Sequence, residues 1–132
     1  MKNLKTFITL VALFFGIGAF AQDNSKVIAL VTKANWCPAC KANGERMGKE
    51  VFSSYTNGDV KVIANDLTDD ASKSTCKKEI EAAGIADVAK NSNSTGIITL
   101  IDAKTKKVIT TISVTKSTEK IKAAIDESLK NL

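Results

Sequence analysis

Cys37 and Cys40 stand two residues apart in the stretch Asn35-Trp36-Cys37-Pro38-Ala39-Cys40-Lys41. Two thiols at this spacing can cycle between a dithiol and a disulfide. The attacking species in such an exchange is a thiolate, not a thiol. Cys37 falls at the expected N-cap of a helix, with Pro38 at its first position, where the missing N–H has no intrahelical partner to lose. Unpaired helix N–H groups and the positive end of the helix dipole converge there, and both favour a thiolate. A Cys-x-x-Cys cysteine in that setting typically titrates between about 3.5 and about 7.5 instead of near 8.5. Cys40 lies one turn further on, on the apolar face. That predicts a less accessible sulfur, placed to resolve a mixed disulfide formed at Cys37. Trp36 either shelters the pair and offers a partner a flat apolar surface, or is a half-buried core aromatic.

Two other readings of the pair stay open. One is a zinc half-site, which needs four ligands. The chain has no histidine and only one further cysteine, so a carboxylate would have to complete the set. The other is an inert buried pair. The lack of histidine also removes His-based acid–base catalysis, His–Cys pairs and most catalytic zinc sites. No metal and no cofactor is expected. Cys76 is the odd cysteine. It shares a helical face with Ile80 and Ala83 and reads as a small buried apolar residue, with a second redox thiol or a link to another chain as alternatives.

The elements that must hold the pair follow in order. Val27–Val31 is a continuous apolar run, suited to a strand covered on both faces. The helix after Pro38 carries Cys40, Gly44, Met47, Val51 and Tyr55 at helical spacing, as one inward face. Gly44 and Gly48 interrupt it, each at a cost on the order of 1 kcal/mol against alanine, and signal a bend or close packing. Asn57-Gly58 is a turn, and Val60–Ala64 a second strand, parallel to the first because a helix joins them. Asp69 and Asp70 start another helix and Gly84 ends it. Ile85, Val88 and Ala89 suggest a short helical piece, and Asn91–Gly96 is a polar loop. Ile97–Ile101 and Val108–Val114 form a hairpin. Ser117 caps a last helix with Ile121, Ile125, Leu129 and Leu132 on its apolar face. The order β-α-β-α-β-β-α predicts an α/β fold, a mixed four-stranded sheet with helices on both faces.

Residues 1–21 do not belong to that unit. Lys2 and Lys5 precede an uncharged, almost wholly apolar run, Thr6–Phe20, and Ala19-Phe20-Ala21 is a small-x-small cleavage pattern. This is the form of a secretory signal peptide, leaving 22–132 as one domain that is exported, periplasmic or secreted. The run is shorter than the roughly 20 residues of a spanning helix. Export makes a disulfide chemically allowed. The formal charge is +5, and removing Lys2 and Lys5 leaves +3 for residues 22–132. Lysines are mixed with acids and aromatics are only 5%, so no nucleic-acid partner is expected.

The apolar strand, Ala34-Asn35-Trp36-Cys37-Pro38-Ala39-Cys40-Lys41 and the element order together resemble the thioredoxin superfamily, over essentially all of 22–132. The chain is most similar there to exported bacterial thioredoxin-like proteins, including the carboxy-terminal domain of the DsbD-type transmembrane reductase. The resemblance implies a thiol–disulfide oxidoreductase acting by reduction or disulfide exchange more than as an oxidant. It implies protein disulfide substrates and a transmembrane thiol carrier as electron donor. It also implies a redox disulfide between Cys37 as nucleophile and Cys40 as resolving cysteine, with Trp36, Pro38, Ile97 and Ile98 in contact with substrate. Two positions depart from the family. Its buried aspartate, six residues before the first cysteine, is Val31 here, and aligning Thr95–Leu100 puts Ile98 at its cis-proline. A cis bond before a non-proline residue costs about 2.5–4 kcal/mol, so a trans bond is predicted at Ile98. These departures motivate an alternative, a binding or scaffold module that keeps the fold without disulfide turnover, using the loop Asn91–Thr95 as its recognition surface.

Overall fold

The computed structural model describes residues 23–132, so the expected signal peptide lies outside the described residues. Val27–Lys33 forms strand β1, and Val27, Ile28, Ala29 and Leu30 are all buried. Successive side chains point to opposite faces, so burial of all four requires cover on both sides of the sheet. β1 pairs in parallel with β2 (Val60–Asp66) and antiparallel with β3 (Ile97–Asp102). β4 (Val108–Ser113) closes a hairpin with β3, giving the order β2-β1-β3-β4. β2 and β4 are therefore the two edges.

Helices α1 (Pro38–Arg46) and α4 (Thr118–Lys130) belong to one face, where Val27, Ala29, Val51, Ile98, Leu100 and Ile121 form the core. Helices α2 (Asp70–Ala82) and α3 (Ala86–Asn91) cover the other, over Ile28, Leu30, Ile63, Ile85 and Ile101. The helix starts are set by side chains. The Asp69 carboxylate accepts the Ser72 N–H at 2.7 Å, and the Ser117 hydroxyl oxygen accepts the Lys120 N–H at 3.3 Å. Gly84 adopts a φ of +72° just beyond α2, a left-handed conformation that disfavours other residues.

Two expectations need correction. The helix after Pro38 does not run unbroken to Tyr55. α1 ends at Arg46, a π-helical turn covers Met47–Val51, and a 3-10 turn covers Phe52–Ser54. Met47 and Val51 reach the core, whereas α1 itself has no buried residue, because Gly44 presents no side chain and Cys40 is only half-buried. The glycines thus mark a change of helix type, not close packing. At the other end Leu132 lies past the last turn of α4 and is 53% exposed, so the apolar face stops at the half-buried Leu129.

Arg46 ties the end of α1 to the chain that leads into α4. Its guanidinium donates to the Val114 carbonyl at 2.6 Å, the Lys116 carbonyl at 3.0 Å and the Thr118 hydroxyl at 3.0 Å. It also donates to the Asn43 side chain at 2.9 Å. Replacing Arg46 with alanine leaves two carbonyls without their donor. Urea unfolding should show a loss of roughly 1–3 kcal/mol, little of it recovered in Arg46→Lys, which lacks the planar fork.

Candidate functional site

The site lies where β1 ends and α1 begins. Ala34 is buried, and its carbonyl accepts the Cys37 N–H at 3.2 Å, turning the chain out of the strand. Cys37 stays extended, at φ −81° and ψ 114°, and is the N-cap of α1, with Pro38 opening the helix. Its Sγ accepts the Cys40 N–H at 3.2 Å, so sulfur does here what a serine or aspartate oxygen usually does at a helix start. That hydrogen bond and the helix dipole both favour the charged sulfur once the pair is reduced. In this structure Cys37 and Cys40 are joined as a disulfide, with Cα atoms 5.3 Å apart.

Access to the two cysteines is the reverse of the expectation. Cys37 is only 3% exposed, whereas Cys40 is half-buried and lines open cavities. The reason lies in the neighbours. Cys37 sits under the loop before β3, while Cys40 looks over Gly44, which has no side chain to cover it. Trp36 is 58% exposed and Pro38 is exposed, so the surface around Cys37 is apolar and open even though Cys37 itself is not.

Ile98 belongs to the core on the α1 and α4 face of the sheet. It is fully buried, paired with Val31 on one side and Ile112 on the other, which leaves it no surface for a substrate. Ile97 is half-buried, opposite Thr32 and Ser113. No cis peptide bond occurs among the described residues, as expected at Ile98. Gly96 is the residue against the pair: a β-carbon there would lie 3.8 Å from Cys37 Sγ and 3.4 Å from the Ala39 β-carbon. Gly96 has a φ of +77°. Its N–H donates to the Thr32 carbonyl at 2.8 Å, and its carbonyl accepts the Val114 N–H at 2.9 Å. Position 31, where the resembling family has its aspartate, is a half-buried valine beside Cys40's cavity.

Several positioning residues were not legible in the sequence. Buried Asn65 donates to Thr32 Oγ1 at 3.3 Å and to the Ser92 carbonyl at 3.2 Å, tying the loop that delivers Gly96 to the sheet. The Thr68 hydroxyl oxygen accepts the Asn35 N–H at 2.9 Å and its O–H donates to Asp66, whose other oxygen lies 3.8 Å from Lys33 Nζ. Asn65, Asp66 and Thr68 belong to the end of β2 and the loop beyond, 30 residues or so from their partners, so no local pattern announces them. Cys76 is half-buried against the core on the other face of the sheet from the pair, a thiol without a disulfide partner. Among the described residues, no group of three or more His, Cys, Asp or Glu side chains is placed to hold a metal ion.

Gly96→Ala should cost about 1–2 kcal/mol from the left-handed backbone alone. Its methyl would meet Ala39 and Cys37 at ordinary contact distance, so the backbone carries the cost, and thermal unfolding of the two proteins reads it. The Thr68 hydrogen bonds, then Lys33, hold the Asp66 carboxyl below its ordinary value. A lowered carboxyl stabilises the folded chain above the ordinary carboxylate range, and that contribution fades as pH falls through the folded value. The stability difference between wild type and Asp66→Asn should therefore shrink between about pH 6 and about pH 3. Urea melts across that range check it, and a constant difference would remove Asp66's charge from the site.

No protein-family model and no curated protein matches the chain. Solved structures do. A thioredoxin-like protein of Edwardsiella tarda has a TM-score of 0.51 and 16% identity, over 79% of this chain and 85% of that one. A protein of Bacteroides thetaiotaomicron, described as a candidate protein disulfide isomerase, has a TM-score of 0.54 and 18% identity, over 80% and 74%. A DsbH oxidoreductase has a TM-score of 0.54 and 13% identity, over 98% and 94%. At these identities the likeness is one of fold.

Proposed function

We propose that this chain, which has the thioredoxin fold, is an exported thiol–disulfide oxidoreductase. The observation that carries the reading is the Cys37 sulfur at the N-cap of α1, hydrogen-bonded by the Cys40 N–H at 3.2 Å and within disulfide reach of Cys40. A helix start that already donates to sulfur lowers the cost of a thiolate there.

The exchange runs in two steps. The Cys37 thiolate attacks one sulfur of a substrate disulfide, forming a mixed disulfide and releasing the other substrate sulfur as thiolate. Cys40, after losing its proton to solvent, attacks the Cys37 sulfur and releases the second substrate thiolate. Two electrons pass from the protein dithiol to the substrate, and the Cys37–Cys40 disulfide is the product. Trp36 and Pro38, both exposed beside Cys37, are the surface that meets the substrate backbone. Ile98, being in the core, has no part in that contact. Regeneration needs an outside dithiol. For a chain that crosses a membrane behind the Thr6–Phe20 leader, a transmembrane thiol carrier is the donor of choice. The direction, reduction or exchange, rests on the resemblance to DsbD-type domains.

A binding module without turnover is the rival reading, favoured by the low exposure of Cys37. Cys40→Ser separates them. With the resolving thiol gone, Cys37 should accumulate mixed disulfides with exported proteins, visible on non-reducing gels and lost with dithiothreitol. A clean lane, with a Cys37 pKa near the ordinary value of about 8.5, would leave only the binding module. Redox titration of wild type should place the pair nearer the −270 mV end than the −120 mV end of the roughly −270 to −120 mV spanned by related dithiols. A value at the oxidising end would reverse the proposed direction.

A further inference from the structure

On the α2 and α3 side of the sheet lies an open groove of about 450 Å³, within the size range of roughly 300–1,000 Å³ found for ligand sites. Leu67, Ile80 and Ala89 give it an apolar floor. Three lysines line it, Lys73 and Lys77 from α2 and Lys90 from α3. Lys73 lies 3.8 Å from Asp70, and Lys77 lies 3.7 Å from Glu81, both acids being neighbours on α2 that also line the groove. These separations exceed a hydrogen bond and both pairs are exposed, so the two ammonium groups are free to turn to a ligand. Lys90 is in no ion pair among the described residues.

Asn65 is the informative residue. It stands near the end of β2, is 7% exposed, and belongs to the groove's lining. Its Nδ2 donates to Thr32 Oγ1 and to the Ser92 carbonyl, with the Ala89 carbonyl at 3.5 Å. Two carbonyls on that side fix which way the amide faces, because only its nitrogen can donate to them. Oδ1 therefore points the other way, and it accepts no hydrogen bond among the described residues. Among those residues no side-chain oxygen shut off from solvent lacks a partner, so this oxygen opens to the surface, and the surface that Asn65 reaches is the groove. A deeply buried asparagine thus spends its donors inside the fold and leaves its acceptor free, over an apolar floor and among three cations.

We propose that this groove binds an N-acylated α-amino acid, the chemistry of a peptide's carboxy-terminal residue. The ligand's N–H donates to Asn65 Oδ1, its side chain rests on Leu67, Ile80 and Ala89, and its carboxylate meets Lys73, Lys77 and Lys90. Each part of the ligand answers one feature of the lining. A simple anion would use the lysines and leave the buried acceptor unmatched, and a neutral apolar molecule would use the floor and leave both. A carboxylate among ammonium groups makes charge-assisted hydrogen bonds, the stronger kind. Ile80 and Ala89 belong to the core on the other face of the sheet from α1 and its cysteines, so the proposal does not depend on disulfide turnover.

The test titrates the protein with N-acetyl-leucine, with its amide N-acetyl-leucinamide, and with 4-methylpentanoate, which keeps the carboxylate and loses the N–H. N-acetyl-leucine should shift the methyl resonances of Ile80 and Ala89 and the side-chain amide of Asn65. The other two should each bind about tenfold more weakly. Asn65 is probed from the ligand's side because it also ties the loop before β3 to the sheet. A variant combining Lys73→Gln, Lys77→Gln and Lys90→Gln should bring N-acetyl-leucine down to the affinity of the amide and leave the amide's affinity unchanged. All three lysines are exposed, so this variant should melt like wild type. High salt should weaken the acid and not the amide. A tetrapeptide ending in leucine that binds more tightly than N-acetyl-leucine assigns the site to a chain end, and equal affinities assign it to the free acylated amino acid. The proposal is overturned if these resonances do not shift, if acid and amide bind equally to wild type, or if the preference for the acid survives the lysine substitutions. It is overturned equally if 4-methylpentanoate binds as tightly as N-acetyl-leucine.

Discussion

Everything at this site depends on one transition: the chain leaves a buried strand and enters a helix within four residues, and sulfur closes the helix. Cys37 is the last extended residue and the N-cap together. The cap hydrogen bond places its sulfur over the helix start, and the i, i+3 geometry of the first turn brings Cys40 underneath it. Once that junction is fixed, the disulfide and the outward Trp36 follow from helix geometry. The junction is itself held by partners on other elements. Thr68 fastens Asn35, the Ala34 carbonyl fastens Cys37, and Gly96 closes over the sulfur.

The layers around this junction were largely legible in the sequence. The continuous apolar run of β1 demands cover on both faces, and the structure supplies α1 and α4 on one side and α2 and α3 on the other. Asp69 and Ser117 could be read as caps because the interaction is local, between a side chain and an N–H three residues on. What could not be read was set by contacts across the chain. Register is an example: an alignment by pattern set Ile98 against the pair, but the strand pairing puts Gly96 there, two residues earlier. Alternation repeats every two residues, so such a shift leaves the inward and outward faces unchanged and no apolar pattern detects it. The relative access of Cys37 and Cys40 is likewise beyond a local pattern. Helical spacing gives the face that Cys40 occupies but not whether anything covers that face.

Gly44 and Gly48 show how a costly local choice acquires meaning only in three dimensions. In sequence they weaken a helix. In the fold they coincide with a change from α to π geometry, which turns Met47 and Val51 into the core and leaves the preceding turn uncovered over the β2 edge. Arg46, at the joint between the two helical types, binds the chain on either side of Lys116 and keeps the bend in one position.

The ion pair at the start of the described chain also bears on how the site is presented. Asp23 reaches Lys61 at 2.7 Å, and Lys26 donates through its backbone to the Asp59 carbonyl, so the chain enters the domain beside the start of β2. From there β1 runs seven residues to Lys33, about 20 Å at the usual strand rise. The dithiol therefore sits at the pole of the sheet opposite the point of attachment. Anything joined ahead of Asp23, whether a surface anchor or a fused domain, would hold the molecule by its base, with the Cys37–Cys40 end facing away.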